Sequence, residues 1–507
     1  MWPDSKVFNE EKEIKYNNEG YFVKNKGFFP KKYKVTLITP VYNAAPFLEK
    51  TIDSVISQSI GFENIEYILV DDKSTDSSRE ILWAYANKYK NIKVVFLQEN
   101  TGSPATPRNL GIELAKADYV IFLDSDDWLE QTGLKALYDL AQETDDNYVV
   151  GRTIKVANAK NTIVGEHQSI VERRSVSPYS IPHIFQHLGP TARMMKRSLL
   201  IDNKIRFPHM KFAEDKQFFI DVLTHSPTIS TTKQVIYYAN RLDENESSLT
   251  TKTSVMEKTD TNVQVIKYVK SKKLPVEQEK MILNRLYEFD CITRLFDRQH
   301  FLKSENKEEY FAKFQEALDT SKDLGYEISE NFFHPINKVI YQLFLKGEYK
   351  QMEDLIRWNK KAKLKQYIIK DSLPYMITPF REAGLEHIRV SMLAVYNKGY
   401  FEEDKYKLEV QVFGDDVDKI EELAFRSRKD VNDEYIFDFN VTSNVNGISL
   451  IDIETLNKLP STSYEVFIRY DVYRKISLLR PEQIQYENRI FNFYTTINSN
   501  LGFKISK

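Results

Sequence analysis

The sequence predicts an α/β, Rossmann-like domain, then a helical linker domain, then an all-β C-terminal module of sandwich type. Three observations predict it. Short apolar runs alternate with stretches of helical period over the first half of the chain. From about residue 257 the period is purely helical, and after Pro374 and Pro379 strict two-residue alternation takes over. At 507 residues the chain also exceeds what one hydrophobic core holds, so several domains are required.

Residues 1–32 read as a polar extension that orders only where Phe22, Phe28 and Phe29 dock. The first domain spans 33–256. KVTLITP (34–40) is a strand of buried type and FLEKTIDSVISQ (47–58) an amphipathic helix. YILVDD (67–72), SSREILWAYANKY (77–89), KVVFLQ (93–98), PRNLGIELAKA (107–117) and YVIFLDSDD (119–127) continue the alternation of strand and helix. Apolar strands of this kind, joined by helices, imply βαβ units and a parallel sheet covered on both faces. The helical linker spans 257–378, with Val263, Ile266, Ile282, Leu286, Phe289 and Phe296 at core-facing offsets. The C-terminal module spans 379–507. Its strands alternate through Tyr406–Val412, Tyr435–Val441, Tyr464–Val472 and the residues Phe491, Phe493 and Ile497.

Composition removes several function classes. A formal charge of −2 leaves no basic excess to neutralise phosphates, so a general nucleic-acid binder is not expected. The single cysteine, Cys291, allows no intrachain disulfide and fits a cytoplasmic setting. The N-terminus lacks an apolar leader, and no run of about 18 apolar residues is present to span a membrane. The lysines at 360, 361, 363 and 365 read as a solvated helix face.

In a parallel sheet of this class the ligand binds beyond the carboxyl ends of the strands, and each unusual polar cluster lies at one of those ends. TPVYN (39–43) offers the ring of Tyr42, VDDKSTD (70–76) two acids, ENTGSPATPRN (99–109) Asn100 and Arg108, and DSDD (124–127) three acids in four positions. Such a cluster of like charges calls for a positive partner. An aromatic ring, a hydrogen-bonding acid, a guanidinium and an acidic cluster together suit a nucleoside diphosphate held by a hard divalent cation. Asp and Ser are also favoured in plain strand–helix turns, so DSDD weighs little without the other three strand ends.

TPVYN, LVDDKSTD, PRNLGIELAKADYVIFLDSDD and KFAEDKQFF together resemble the family 2 glycosyltransferases of GT-A fold, over about 34–250. NTGSPATPRN (100–109), GPTARMMKRSLL (189–200) and the AED triplet at 213–215 are similar to the bacterial enzymes that glycosylate wall teichoic acid, the poly(ribitol-phosphate) β-N-acetylglucosaminyltransferases. That resemblance implies a UDP-sugar donor, an anionic polyol-phosphate polymer as acceptor, Mn2+ or Mg2+, and inversion to a β linkage. It implies that Thr39, Pro40 and Tyr42 frame the uracil and that Asp71 or Asp72 binds its imide. Asn100 and Arg108 face the donor, Asp124 lies by the ribose with Ser125 in the same stretch, and Asp126 holds the metal. Asp215 is the implied general base, with Glu214 its neighbour; a helix N-terminus favours such an acid pair without any catalytic role. The resemblance further implies peripheral association with the inner face of the membrane, and self-association through the C-terminal module, as a trimer.

The sequence departs from the family where a histidine usually reaches the metal. RLDENESS (241–248) offers Glu244, Asn245 and Glu246 there instead, where a carboxylate or the amide oxygen of Asn245 suits the metal, and Arg241 is the alternative contact to the diphosphate. His183 and His187, four apart in PHIFQH, lack the H-E-x-x-H surroundings of a zinc site, so packing or lining of the acceptor cleft is expected. Arg173, Arg174, Arg193, Lys196 and Arg197 fall where an acceptor groove is expected, either drawing in the polymer or lying as scattered surface charge. The same chemistry on a capsular or lipid-linked glycan is the second reading, and a polymer-binding or oligomerising scaffold with weak activity the third.

Overall fold

The computed structural model describes residues 14–26, 32–158, 160–242, 253–362, 365–381, 384–443, 445–479, 483–486, 489–495 and 501–506. Asn245, Phe28, Phe29 and Ile497 therefore lie outside the described residues. The chain divides into two compact units, one through Leu286 and one from Tyr287 onward, and each is taken by itself.

The first unit opens with β1 (Tyr21–Lys24), β2 (Val35–Val41), α1 (Ala45–Ile56), β3 (Ile65–Asp71), α2 (Ser78–Lys88), β4 (Ile92–Leu97), α3 (Ala105–Leu114) and β5 (Tyr119–Phe122). It continues with β6 (Trp128–Leu129), α4 (Gly133–Thr144), β7 (Tyr148–Val156), β8 (Thr162–Val164), β9 (Arg173–Val176), β10 (Arg193–Lys196), α5 (Glu214–Thr224) and β11 (Ile229–Asn240). Strands β4, β3, β2 and β5 run parallel in that order, so the chain reverses direction across the sheet between β2 and β5. Every residue of β3 and β4 is buried, the paired Glu66 and Lys93 included, which is why these strands read as near-continuous apolar runs rather than alternating ones. Gly111 of α3 leaves no room for a Cβ against Ile38, so this helix lies close on β2.

Beyond β5 the sheet is mixed. Strand β10 inserts antiparallel between β5 and β7, and β11 runs parallel to β7. This half escaped the periodicity reading because β10 is only RMMK and its pairing partners are distant in sequence. The extension is also more than a polar arm. Tyr21–Lys24 adds an antiparallel strand to β4, and Phe22 stacks against Trp83 and Phe96 with centroids 6.4 and 6.5 Å apart. Helices α6 (Val255–Ser271) and α7 (Val276–Asn284) close the unit, α6 starting on a capping box between Ser254 and Glu257.

The second unit opens in the π-helix that ends at Thr293 and in two short helices, Arg294–Phe296 and Gln299–Lys303, before helices α8 (Lys307–Asp319), α9 (Pro335–Leu345) and α10 (Tyr349–Lys361). Purely helical structure ends there and not at 378. Strands β12 (Gln366–Lys370), β13 (Leu373–Ile377) and β14 (His387–Arg389) follow, with Pro374 inside β13 instead of breaking the chain.

Next come β15 (Met392–Glu402), β16 (Lys405–Gly414), β17 (Ile420–Ser427), β18 (Glu434–Asp438), β19 (Asn440–Ser443), β20 (Asn446–Asp452), β21 (Tyr464–Tyr470) and β22 (Arg474–Leu479). They form one eight-stranded sheet ordered β18-β17-β21-β22-β15-β16-β20-β19. Edge strand β18 meets β20 at the far side, so the all-β, sandwich-like module takes the form of one sheet curled into a near-barrel around Leu408, Val410, Leu423, Phe437 and Ile468. The alternation expected through Val472 stops at Tyr470, because Asp471 and Val472 take left-handed backbone in the turn to β22. A last antiparallel ladder joins β23 (Gln483–Tyr486), β24 (Arg489–Thr495) and β25 (Leu501–Ser506). Among the described residues no helix is long and apolar enough to cross a membrane.

Candidate active site

The carboxyl ends of β2, β3, β4 and β5 gather the polar clusters along one edge of the first unit, and they divide into groups that build the loops and groups left facing outward. Thr39 belongs to the first kind. It is fully buried, and its hydroxyl lies 3.2 Å from that of Tyr67, so its side chain braces the sheet. Pro40 is half-buried, while Tyr42 is 50% exposed and presents its ring at the rim.

The two acids after β3 differ in the same way. Asp71 is wholly buried against Arg79, whose Nε lies 2.8 Å from its Oδ2, and it accepts from the Ser74 N–H. Asp72 accepts the backbone N–H and hydroxyl of Thr101, both at 2.9 Å. Burial pushes both carboxyls above the usual range, offset in part by Ser74 and Arg79 at Asp71 and by the Thr101 and Gly102 bonds at Asp72. Asn100 completes this clasp by donating to the Asp72 carbonyl at 2.8 Å and accepting from the Gly102 N–H.

DSDD resolves into three different acids. Asp127 is buried and accepts from Tyr237 Oη and the Asn240 N–H, each at 2.7 Å, so it ties β5 to the end of β11. Arg241, on that same end, is half-exposed with its Nη1 3.8 Å from Asp127 Oδ1. Asp124, Ser125 and Asp126 are each half-buried. Thr51 of α1 donates to the carbonyls of Ser125 and Asp127 and so fixes the turn. Burial first, then the charges of Asp126 and Asp124, drives the Asp127 carboxyl well above its ordinary range. A cation bound there would relieve that repulsion. The donors at hand are carboxylate oxygens, which suit a hard divalent ion, and Asp124 and Asp126 are the half-exposed pair. Among the described residues no group of three His, Cys, Asp or Glu side chains converges on one point.

Arg108 connects this edge to the AED triplet. Lying near the start of α3 and 4% exposed, it donates to Asp124 Oδ1 at 2.7 Å and to Glu214 Oε1 at 3.3 Å. Glu214 and Asp215 open α5, preceded by Ala213 in a left-handed conformation at φ 68°. Such a backbone costs an alanine roughly 1–2 kcal/mol, and it turns the chain so that both acids face the strand ends. Helix α5 is anchored by Phe218, which stacks on Phe207 at 3.8 Å and meets Phe122 edge-on. A helix N-terminus lowers an acid's pKa, but burial outweighs it here. Glu214 is pushed up to about 7, first by burial and then by Asp215, against the opposing pull of Arg108. Asp215 is also raised, chiefly by burial, and accepts the Lys216 N–H at 2.8 Å through Oδ1.

Of the basic residues expected along an acceptor groove, Arg193 is an interior group, only 1% exposed. Its guanidinium donates to Tyr148 Oη at 2.6 Å, Gln168 Oε1 at 2.9 Å and the carbonyls of Gly189, Thr191 and His187. Arg174 is exposed but engaged by Glu143 and Glu172, and Lys196 by Asp145. His183 and His187 flank a 3-10 turn over Ile184–Gln186, not an α-helix, so the four-residue spacing does not bring them to one helix face. The sequence reading missed Thr51, Arg79, Arg193 and Tyr237 as organisers of this edge. Each sits in an ordinary helical, strand or basic pattern, and only the fold brings it to its partner.

A mixed sheet entered through a βαβ half, with acids at its carboxyl edge and a carboxylate pair on a facing helix, defines a GT-A-like glycosyltransferase domain. Residues 36–203 match the family described as Glycosyl transferase family 2. The chain is 32% identical over 227 residues to poly(ribitol-phosphate) beta-N-acetylglucosaminyltransferase TarP of Staphylococcus aureus, covering 42% of this chain and 67% of that protein. It is 35% identical over 207 residues to the poly(ribitol-phosphate) beta-glucosyltransferase of Bacillus spizizenii, covering 40% of this chain and about a third, 32%, of that protein. The crystal structure of S. aureus TarS superposes with a TM-score of 0.58 at 19% identity, over 94% of this chain and 86% of that one. A structure of TarS 1-349 in complex with UDP-GlcNAc gives 0.56 at 21% identity, over 70% and 99%. The protein is a member of glycosyltransferase family 2.

Proposed function

We propose that this chain is an inverting, metal-dependent glycosyltransferase that moves N-acetylglucosamine from UDP-N-acetylglucosamine to a hydroxyl of poly(ribitol phosphate), forming a β linkage. The observation that carries the reading is the Arg108 bridge between Asp124 and Glu214, which holds a donor-side acid and the Glu214–Asp215 pair within reach of one guanidinium. The similarity to poly(ribitol-phosphate) glycosyltransferases supports the acceptor, and the UDP-GlcNAc complex of TarS supports the donor.

In this reading Tyr42 lies against the uracil and Asp72 takes the imide, since Asp71 is committed to Arg79. Asp124 and Ser125 lie by the ribose, and Arg241 meets the diphosphate. Asp126 holds Mn2+ or Mg2+, with Asn245 as a second ligand, and the cation neutralises charge on the diphosphate when bound. Asp215 Oδ2 accepts the proton of the acceptor hydroxyl as that oxygen bonds to the anomeric carbon and the bond to UDP breaks. A base whose pKa is raised toward neutrality takes the proton more readily than an ordinary carboxylate. Glu214, sharing Arg108 with Asp124, positions Asp215. We place the reaction in the cytoplasm at the inner membrane face, with the β-rich module assembling a trimer, which light scattering would read.

The relative from Bacillus spizizenii is a glucosyltransferase, which favours glucose as the second donor to test. Radiolabelled UDP-N-acetylglucosamine and UDP-glucose, each offered with poly(ribitol phosphate), a capsular polysaccharide and a lipid-linked glycan, test the whole reading. Incorporation into poly(ribitol phosphate) from the first donor is expected. Label entering only a neutral glycan would overturn it.

A further inference from the structure

His187 was singled out for its spacing from His183, but its surroundings give it another use. Arg193 Nη2 lies 3.1 Å from His187 Nδ1. A guanidinium has donors only, so Nδ1 must accept and the ring proton must sit on Nε2. Arg193 is in turn fixed by Tyr148, Gln168 and three backbone carbonyls, and it lies 5.0 Å from the ring of Phe219 on α5. The imidazole is thereby locked in orientation and tautomer, and it stays neutral because burial and Arg193 hold its pKa well below the usual value.

The locked Nε2–H has no partner among the described residues, and it faces the same gap as the proposed base. A Cβ added at Gly189 would lie 3.6 Å from His187 Nε2 and 3.9 Å from Asp215 Oδ2. Gly189 is not one of the left-handed glycines, so its lack of a side chain serves space and not backbone freedom. One small opening is thus bounded by a hydrogen-bond donor and by the carboxylate oxygen that takes the acceptor's proton.

We propose that His187 is an acceptor-positioning residue, its Nε2–H donating to an oxygen of the acceptor polyol phosphate beside the hydroxyl that Asp215 deprotonates. This deepens the proposed function and rests on its assignment of Asp215. Two fixed points, one donor and one acceptor, orient a flexible polyol better than a lone base can.

The test uses the full chain with a UDP-sugar and poly(ribitol phosphate), reading KM for each substrate separately. His187→Phe should raise the acceptor KM about 10-fold or more while leaving the donor KM in place. His187→Gln, whose amide nitrogen reaches the Nε2 position, should keep the acceptor KM within about 3-fold of wild type. Gly189→Ala, which puts a methyl group in the opening, should also raise the acceptor KM and not the donor KM. An unchanged acceptor KM in both His187→Phe and Gly189→Ala, or acceptor and donor KM rising together, would overturn the role. If the wild type transfers sugar only to some other hydroxyl acceptor, the polymer reading alone fails, and the same KM split on that acceptor decides for or against His187.

Discussion

Arg108 Nη2 sits 2.7 Å from Asp124 Oδ1, joining α3 to the acidic end of β5, and its other nitrogen reaches Glu214 on α5. One buried cation thus holds together three segments that lie far apart in the sequence. Removing one partner of a buried ion pair leaves uncompensated charge, which costs about 3–5 kcal/mol. Arg108→Met should lower stability by that order in urea unfolding and weaken UDP binding by calorimetry. A variant as stable as wild type would show that the bridge does not organise the site.

Glu214 gives a pH signature. Its carboxyl titrates near 4.5 when unfolded and about 7 when folded. The folded state therefore binds the extra proton between those values, so this group's contribution is most favourable below about 4.5 and is lost as pH rises through 7. Glu214→Gln removes the penalty. At pH 8 the variant should be more stable than wild type by on the order of 3 kcal/mol, and at pH 4.5 the difference should vanish. Denaturant titrations at the two pH values check this; a gap independent of pH would contradict it.

Asp215→Asn keeps the shape and removes the proposed base. Transfer should fall about 100-fold or more while UDP binding stays within a factor of a few. Single-turnover assays beside calorimetry separate the two, and near-normal turnover would take the role from Asp215.

Asp126 and Asp127 are adjacent but should fail differently. Asp126→Ala should abolish the difference between UDP affinities measured with and without Mn2+. Asp127→Ala orphans Tyr237 Oη and the Asn240 N–H, two buried donors. It should cost about 2–4 kcal/mol of stability. If thermal melts and calorimetry show both variants behaving alike, the division of DSDD into metal-facing and structural acids is wrong.

The parallel half of the sheet was legible because fully buried strands leave near-continuous apolar runs, as in YILV before Asp71 and Asp72. The short antiparallel insertion of β10 was not, since four residues carry no period and their pairing with β5 and β7 is non-local. In the C-terminal module alternation announced an all-β, sandwich-like unit, but the curl of its sheet into a near-barrel comes from strand pairing across the module and not from local alternation.

By itself the sequence determined where the candidate site residues fall, for strand ends and helix starts are local events marked by Pro, Gly, Ser and Asp at short spacing. It placed Tyr42, Asp124, Asp126 and the Glu214–Asp215 pair at such points. Only the tertiary structure decided how equal residue types divide between work and support. Asp71 and Asp127 were withdrawn into the interior by Arg79 and Tyr237, and Arg193 was taken from the surface to lock His187. A charge's role depends on who neutralises it and how much water remains, and both are properties of packing between segments that the linear chain keeps apart.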